Sequence, residues 1–274
     1  MYLAARTGML VGGGYGYIAE RGAFCMNSGF RVAVTQRNMT KVKAYVLAIA
    51  LQMIFVPLVF ATGLSSPTYP AMFPVGAILG GLLFGASMHW AGGCAAGVWY
   101  KLGSGSLGAL AAVLGMAIGA AALEVGPLVG FRASVQSAGP SIGNAPLEML
   151  WPWAPLAGLL LIGMLWFAAP GHAGAWSWRR TGLAIGVVGI LAWPLSSLAA
   201  RDFGMAVVPG TVSLLDDPVR LFTSWDMLFV LGIPLGAFVA ARRIGPVTTS
   251  KVSAMAASKR FAGGQASVWA LERR

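Results

Sequence analysis

The chain is 274 residues long, 57% hydrophobic and 10% charged, with a mean hydropathy of +0.74. A soluble domain carries about a quarter of its residues charged, so this composition excludes a soluble fold and requires apolar surface to face lipid. The formal charge of +11 does not point to nucleic acid: +6 of it sits between Arg242 and the last residue, and the other +5 falls beside apolar runs, where cytoplasmic membrane loops carry their basic residues.

In chain order, the first element is the glycine-rich "GMLVGGGYGYIAERGAFC", Gly8 to Cys25. Its apolar part, Met9 to Ile18, is too short to cross a bilayer and reads as half of a broken or re-entrant segment. Arg6 before an apolar run imitates a secretory signal, but Glu20-Arg21 stands where a small-residue cleavage site is needed. Arg31, Arg37, Lys41 and Lys43 then precede a stretch without any charged residue before Lys101. That interval exceeds two crossings of about 20 residues each, and "LSSPTYPAMFP", around Ser65 to Pro74, divides it. Further spans are expected at Ser106 to Leu123, Leu150 to Ala168, Leu183 to Ala199 and Met227 to Ala241. Placing the basic regions at 31–43, 179–180 and 242–274 in the cytoplasm gives an alternating topology, with Lys101 on the cytoplasmic side and the Gly126 to Leu147 loop opposite. Glu124 and Asp226 stand at helix ends, Asp226 as an N-terminal cap, and Asp217-Pro218 opens a helix. His172, in "PGHAGAW", is a loop residue.

Two stretches carry polar chemistry into this apolar frame. "GAILGGLLFGASMHWAGGCAAGVW", Gly76 to Trp99, reads as a helix that stops near Trp90 and restarts after Gly92-Gly93. The paired glycines allow backbone conformations that a helix interior forbids and let a ligand approach freed N–H groups. A half-helix starting near Cys94 places its positive end inside the membrane, which favours an anion. The earlier "ERGAFCMNSGFR", Glu20 to Arg31, holds the only other cysteine, Cys25, after a similar break. In apolar surroundings a thiol stays a neutral S–H, a soft weak donor that does not repel an anion as a thiolate would. Such a group suits a sulfur-containing anion whose oxygens meet backbone N–H groups and Arg21. Arg21 serves equally as an interfacial cation, while small buried hydrophobes or a Cys25–Cys94 disulfide are the lesser readings of the cysteines. His89 reads first as a hydrogen-bonded structural residue and second, with Trp90, as an accessory to the site. No nucleotide loop, Ser/His/Asp constellation or metal-hydrolase spacing is present, so the sequence implies no enzyme, cofactor or metal.

"ERGAFCMNSGFR" followed by "GGLLFGASMHWAGGCAAGVWYKLGSGS" closely resembles the YeeE/YedE sulfur-transport family, whose characterised members take up thiosulfate. The resemblance implies two pseudo-symmetric halves with short broken helices meeting at a narrow waist, in a bacterial inner membrane with the C-terminus cytoplasmic. It implies that Cys25 and Cys94 pass thiosulfate along that path. It is strong over the first half and continues through "GLAIGVVGILAWPLSSLAARDFGMAVVPGT" and "WDMLFVLGIPLGAFVAARRIG" in the second. The expected division is a first repeat over 1–135, a connection over 136–181 and a partial second repeat over 182–274. Full-length relatives carry a second Gly-Gly-Cys segment with a third pathway cysteine. Here "SKRFAGGQASVWALERR", Ser258 to Arg274, begins like its approach and contains no cysteine. Two readings follow: the chain is truncated, or a second membrane chain is the partner that completes the pore.

Three function classes follow. The first is uptake of thiosulfate or a related sulfur anion. The second is a soft-metal transporter, in which Cys25, Cys94, His89 and the thirteen methionines serve Cu(I); Arg21 and the half-helix N-termini argue against a cation. The third is a non-transporting membrane subunit that docks a cytoplasmic sulfur-carrier protein through its basic tail.

Overall fold

The computed structural model describes residues 2–65, 73–137, 151–172, 174–243 and 255–262. They form twelve α-helices and two short 3-10 turns, with no strand among the described residues. The helices are α1 (Tyr2–Arg21), α2 (Met26–Gln36), α3 (Thr40–Ala61), α4 (Pro74–Ala91), α5 (Ala95–Gly103), α6 (Leu107–Glu124) and α7 (Val129–Ser137). They continue as α8 (Ala154–Trp166), α9 (Trp178–Ser197), α10 (Val207–Asp216), α11 (Trp225–Arg242) and α12 (255–262). Five stretches are long and apolar enough to cross a membrane: α3, α4 with α5, α6, α9 and α11. Together with the lipid-facing apolar side chains on α4 and α8, such as Leu82 and Met164, this is an all-α multi-pass membrane protein.

The expected spans correspond to helices, with three differences. The Leu150 to Ala168 span is a 3-10 turn at Trp151–Trp153 and a 13-residue α8, shorter than a crossing. Asp226 does not cap α11; Ser224 does, accepting from the Met227 amide at 3.4 Å. Asp226 instead pairs with Arg201 at 2.6 Å, and Arg201 also donates to the Phe203 and Gly204 carbonyls, which fixes the turn ahead of α10. Asp217 does precede a helical turn at Pro218–Phe222. The break at Ser65 to Pro74, the end of the Gly126 to Leu147 loop, most of the basic tail and the Gly-Gly of Ser258 to Arg274 lie outside the described residues.

The third difference concerns the N-terminus. α1 runs unbroken for 20 residues through Gly12-Gly13-Gly14, and the break comes only after Arg21, ahead of α2. Its glycines serve close packing. Gly8, Gly12 and Gly16, spaced by four, share one face, and a Cβ on any of them would overlap the Trp225, Phe229 or Ile233 carbonyl of α11. From the other side a Cβ at Gly232 would meet the Met9 carbonyl at 2.6 Å, and one at Gly236 would overlap that of Gly13. Small residues at such spacing let helix backbones touch where no hydrophobic force drives association. α1 with α11 is the most extensive helix contact in the chain, and α9 with α3 comes next, also through glycines: a Cβ at Gly182 would meet the Ala44 carbonyl at 2.7 Å.

α11 is the wall on which the rest is assembled. Phe229, Val230, Ile233, Ala237 and Ala240 are buried, and α11 packs on α5 and α10 as well as α1. On the α5 side, a Cβ at Gly103 would overlap the Pro234 carbonyl. The Trp99 indole of α5 donates to Thr211 Oγ1 of α10 at 3.1 Å, in full burial.

Overpacking a close-fitted interface costs about 1–3 kcal/mol and sometimes more. Gly12→Leu or Gly236→Leu is therefore expected to lower the melting temperature of detergent-purified protein, whereas Gly81→Leu, where a Cβ would meet nothing, leaves it within error. Equal stability of all three variants would show that close α1–α11 contact does not hold the fold together.

Candidate functional site

Each cysteine opens a short helix behind a chain break. α1 ends at Arg21; the chain turns through residues 22–24, with Ala23 at φ 45°, and Cys25 is the N-cap of α2 in extended conformation. α4 ends at Gly92 at φ 74°, whose amide donates to the Met88 carbonyl, and Cys94 is the N-cap of α5. A left-handed backbone at residue 92 accounts for glycine there. Gly93 is needed for space, since a Cβ would sit 3.1–3.2 Å from Val98 Cγ1 and the Val98 amide nitrogen.

The two breaks meet. A Cβ built on Gly97, in the first turn of α5, would lie 2.8 Å from the Cys25 sulfur and 3.0 Å from the Cys94 sulfur. The thiols thus flank one point and interact directly, as free cysteines rather than a disulfide. Cys25 is wholly buried and Cys94 partly so. Backbone amides from both segments surround the pair: those of Ser28 and Cys94 approach the Cys25 sulfur, and those of Met26 and Gly97 approach the Cys94 sulfur. The first amides of a helix lack intrahelical acceptors, and here they turn toward the two sulfurs. Asn27 ties the breaks together by donating from Nδ2 to the Met88 carbonyl at 2.8 Å. On one side of Cys94 the space narrows to a crevice between α4–α5 and α6, lined by Gly93, Cys94, Ala112 and Met116 and too tight to hold water.

Sequence reasoning misses most of what surrounds the thiols. Tyr15 from α1, Tyr45 from α3 and Tyr100 from α5 all lie near both cysteines, and Phe24 stacks on Tyr45 with ring centroids 3.9 Å apart. The cation that acts on Cys25 is Lys101, whose ammonium also donates to the Gly92 carbonyl and faces Glu20. Lys41 adds a second positive charge and donates to Ser28 Oγ at 2.9 Å, which in turn donates to the Cys25 carbonyl. The placement of Lys101 seven residues after Cys94, two helical turns along α5, is the one signal the sequence offers for it.

The remaining expected residues are Arg21, His89 and Trp90. Arg21 closes α1, its Nε buried without a hydrogen-bond partner among the described residues. His89 and Trp90 are exposed, because α4 turns Ser87, Met88 and Ala91 inward and the intervening positions outward.

The geometry defines a multi-pass membrane protein in which two cysteines from separate chain breaks meet among helix-start amides, tyrosines and lysines. Sequence comparison gives that class its family: the profile described as Sulphur transport matches residues 21–266, and the chain belongs to this YeeE/YedE family. It is 30% identical over 272 residues to the thiosulfate transporter TsuA of Escherichia coli K12, covering 88% of this chain and 76% of the relative. It is 31% identical over 263 residues to the thiosulfate transporter TsuA of Spirochaeta thermophila, covering 87% and 78%.

Gly97 tests the geometry of the pair. Gly97→Val forces both sulfurs from their positions while leaving both cysteines and the α5–α10 hydrogen bond in place. Uptake of the transported anion is expected to fall about tenfold or more, as for loss of a charge-assisted contact, with unchanged membrane yield. Wild-type uptake by Gly97→Val would show that the sulfurs need not converge there.

Proposed function

We propose that this chain carries thiosulfate across the membrane, passing it along the Cys25–Cys94 pair. The observation that carries this reading is the convergence of both sulfurs on Gly97. Thiosulfate has a soft terminal sulfur and hard oxygens. Neutral S–H groups donate weakly to the former, while backbone N–H groups and the lysine ammoniums suit the latter. Tight binding would trap the anion; two weak donors side by side let it pass from one to the next. The relatives named as thiosulfate transporters support the choice of anion.

The helix pairing fits such a path. α1 packs on α11 and α9 packs on α3, so the first helix of each half rests on the third helix of the other. This exchange supports two pseudo-symmetric halves, 1–135 and 182–274, joined through 136–181, with the path at their interface. The basic segments favour a cytoplasmic C-terminus in an inner membrane, where a sulfur-carrier protein is the natural acceptor. A Cu(I) path is disfavoured by Lys41 and Lys101 beside the thiols, which repel a cation, and by the outward position of His89.

In vesicles supplied with radiolabelled thiosulfate, Cys25→Ala and Cys94→Ala are each expected to reduce uptake about tenfold or more, with insertion intact. Full uptake by Cys94→Ala refutes the relay. Uptake should also respond to imposed ion gradients and not to added ATP; strict ATP dependence would contradict a gradient-driven path.

A further inference from the structure

α12 brings a cation to the Cys94 break from far along the chain. Its docking is tight: a Cβ at Gly115 of α6 would overlap the Phe261 carbonyl, and a Cβ at Gly108, seven residues earlier on the same face, would overlap the Arg260 guanidinium at Nη1. Arg260 therefore occupies the space beside Gly108 that a side chain there would contest. From the same position its Nε is 3.8 Å from where a Cβ of Gly92 would be, so the guanidinium also borders the left-handed turn leading to Cys94. Ala112, one helical turn beyond Gly108, lines the crevice that holds Gly93 and Cys94. Arg260 thus borders the turn at Gly92, two residues before Cys94.

Among the described residues no carboxylate neutralises this charge. Their ion pairs are Arg201–Asp226 and Arg220–Asp217, and neither involves Arg260. The segment carrying Arg260 is otherwise apolar or small where it meets α6, at Phe261 and Gly115. A cation set against Gly108 and the Gly92 turn, with its charge unmatched by these residues, is poised for an anion. Guanidinium presents donors in a planar fork that matches two oxygens of a sulfonate-like group.

We propose that Arg260 is an anion-binding residue of the transport path, holding the oxygen end of the substrate at the Gly92 turn on its way to Cys94. The proposal rests on the thiosulfate reading above. It also assigns a division of labour: Arg260 serves capture, and the thiols serve passage.

The test compares wild type, Arg260→Gln, Arg260→Lys and Gly108→Val for thiosulfate binding by calorimetry in detergent and for uptake kinetics in vesicles. Arg260→Gln is expected to raise the half-saturating thiosulfate concentration about tenfold with a smaller change in maximal rate. Arg260→Lys, which keeps the charge and loses the fork, should restore only part of the affinity. Gly108→Val, which contests the space Arg260 occupies and leaves Arg260 and Cys94 in the sequence, should weaken binding in the same sense. Unchanged half-saturation in Arg260→Gln overturns the proposal, as does a loss of maximal rate and melting temperature without any change in affinity, which marks a structural role. Wild-type protein that binds and transports no thiosulfate refutes the proposed function together with this inference, whereas normal wild-type and normal Arg260→Gln binding refutes the inference alone.

Discussion

Backbone-to-backbone contact along α11 is the constraint from which the site follows. α11 meets α1 through Gly8, Gly12 and Gly16, and meets α5 where Gly103 lies on the Pro234 carbonyl. Each contact is possible only without a side chain, and each fixes one chain break. α1 delivers the turn at residues 22–24 and Cys25; α5 begins at Cys94. Because the same rigid helix positions both, the two sulfurs come to one point although 68 positions separate them in sequence. A hydrophobic surface could not specify this, since lipid is as apolar as the helix faces.

The breaks themselves cost free energy, because polar backbone within a bilayer must find partners. The structure meets that cost locally. Gly92 returns its amide to Met88, Lys101 caps the Gly92 carbonyl, and Asn27 satisfies the Met88 carbonyl across the gap. What is left over is a small set of amides and two thiols, together with tyrosine hydroxyls on three helices. That surplus is a donor-rich, acceptor-poor lining, suited to an anion and poorly suited to a metal cation.

Much of this is legible in the sequence, and the exceptions have physical causes. The five long spans follow from length and hydropathy, and the restart at Cys94 follows from a glycine pair that weakens the helix in the middle of an apolar run. The N-terminal glycines mislead because glycine has two uses, breaking a helix and bringing helices together, and only a partner decides between them. α11 is that partner, more than 200 residues away. Tyr15, Tyr45 and Tyr100 carry no spacing signal, since they converge from three helices. Arg21 is the cation nearest Cys25 in sequence, yet Lys101 acts on that thiol through the fold. His89 follows the helix period outward.

A relay through this site requires that one anion touch both thiols at once. Selenosulfate, which places a heavy, anomalously scattering atom at the soft end of the substrate, reports this directly in an experimental structure of the loaded protein. The expected result is a single selenium position near Gly97, in contact with the sulfurs of both Cys25 and Cys94. Selenium bound elsewhere in the chain, or a structure in which the two thiols face separate cavities, would contradict it.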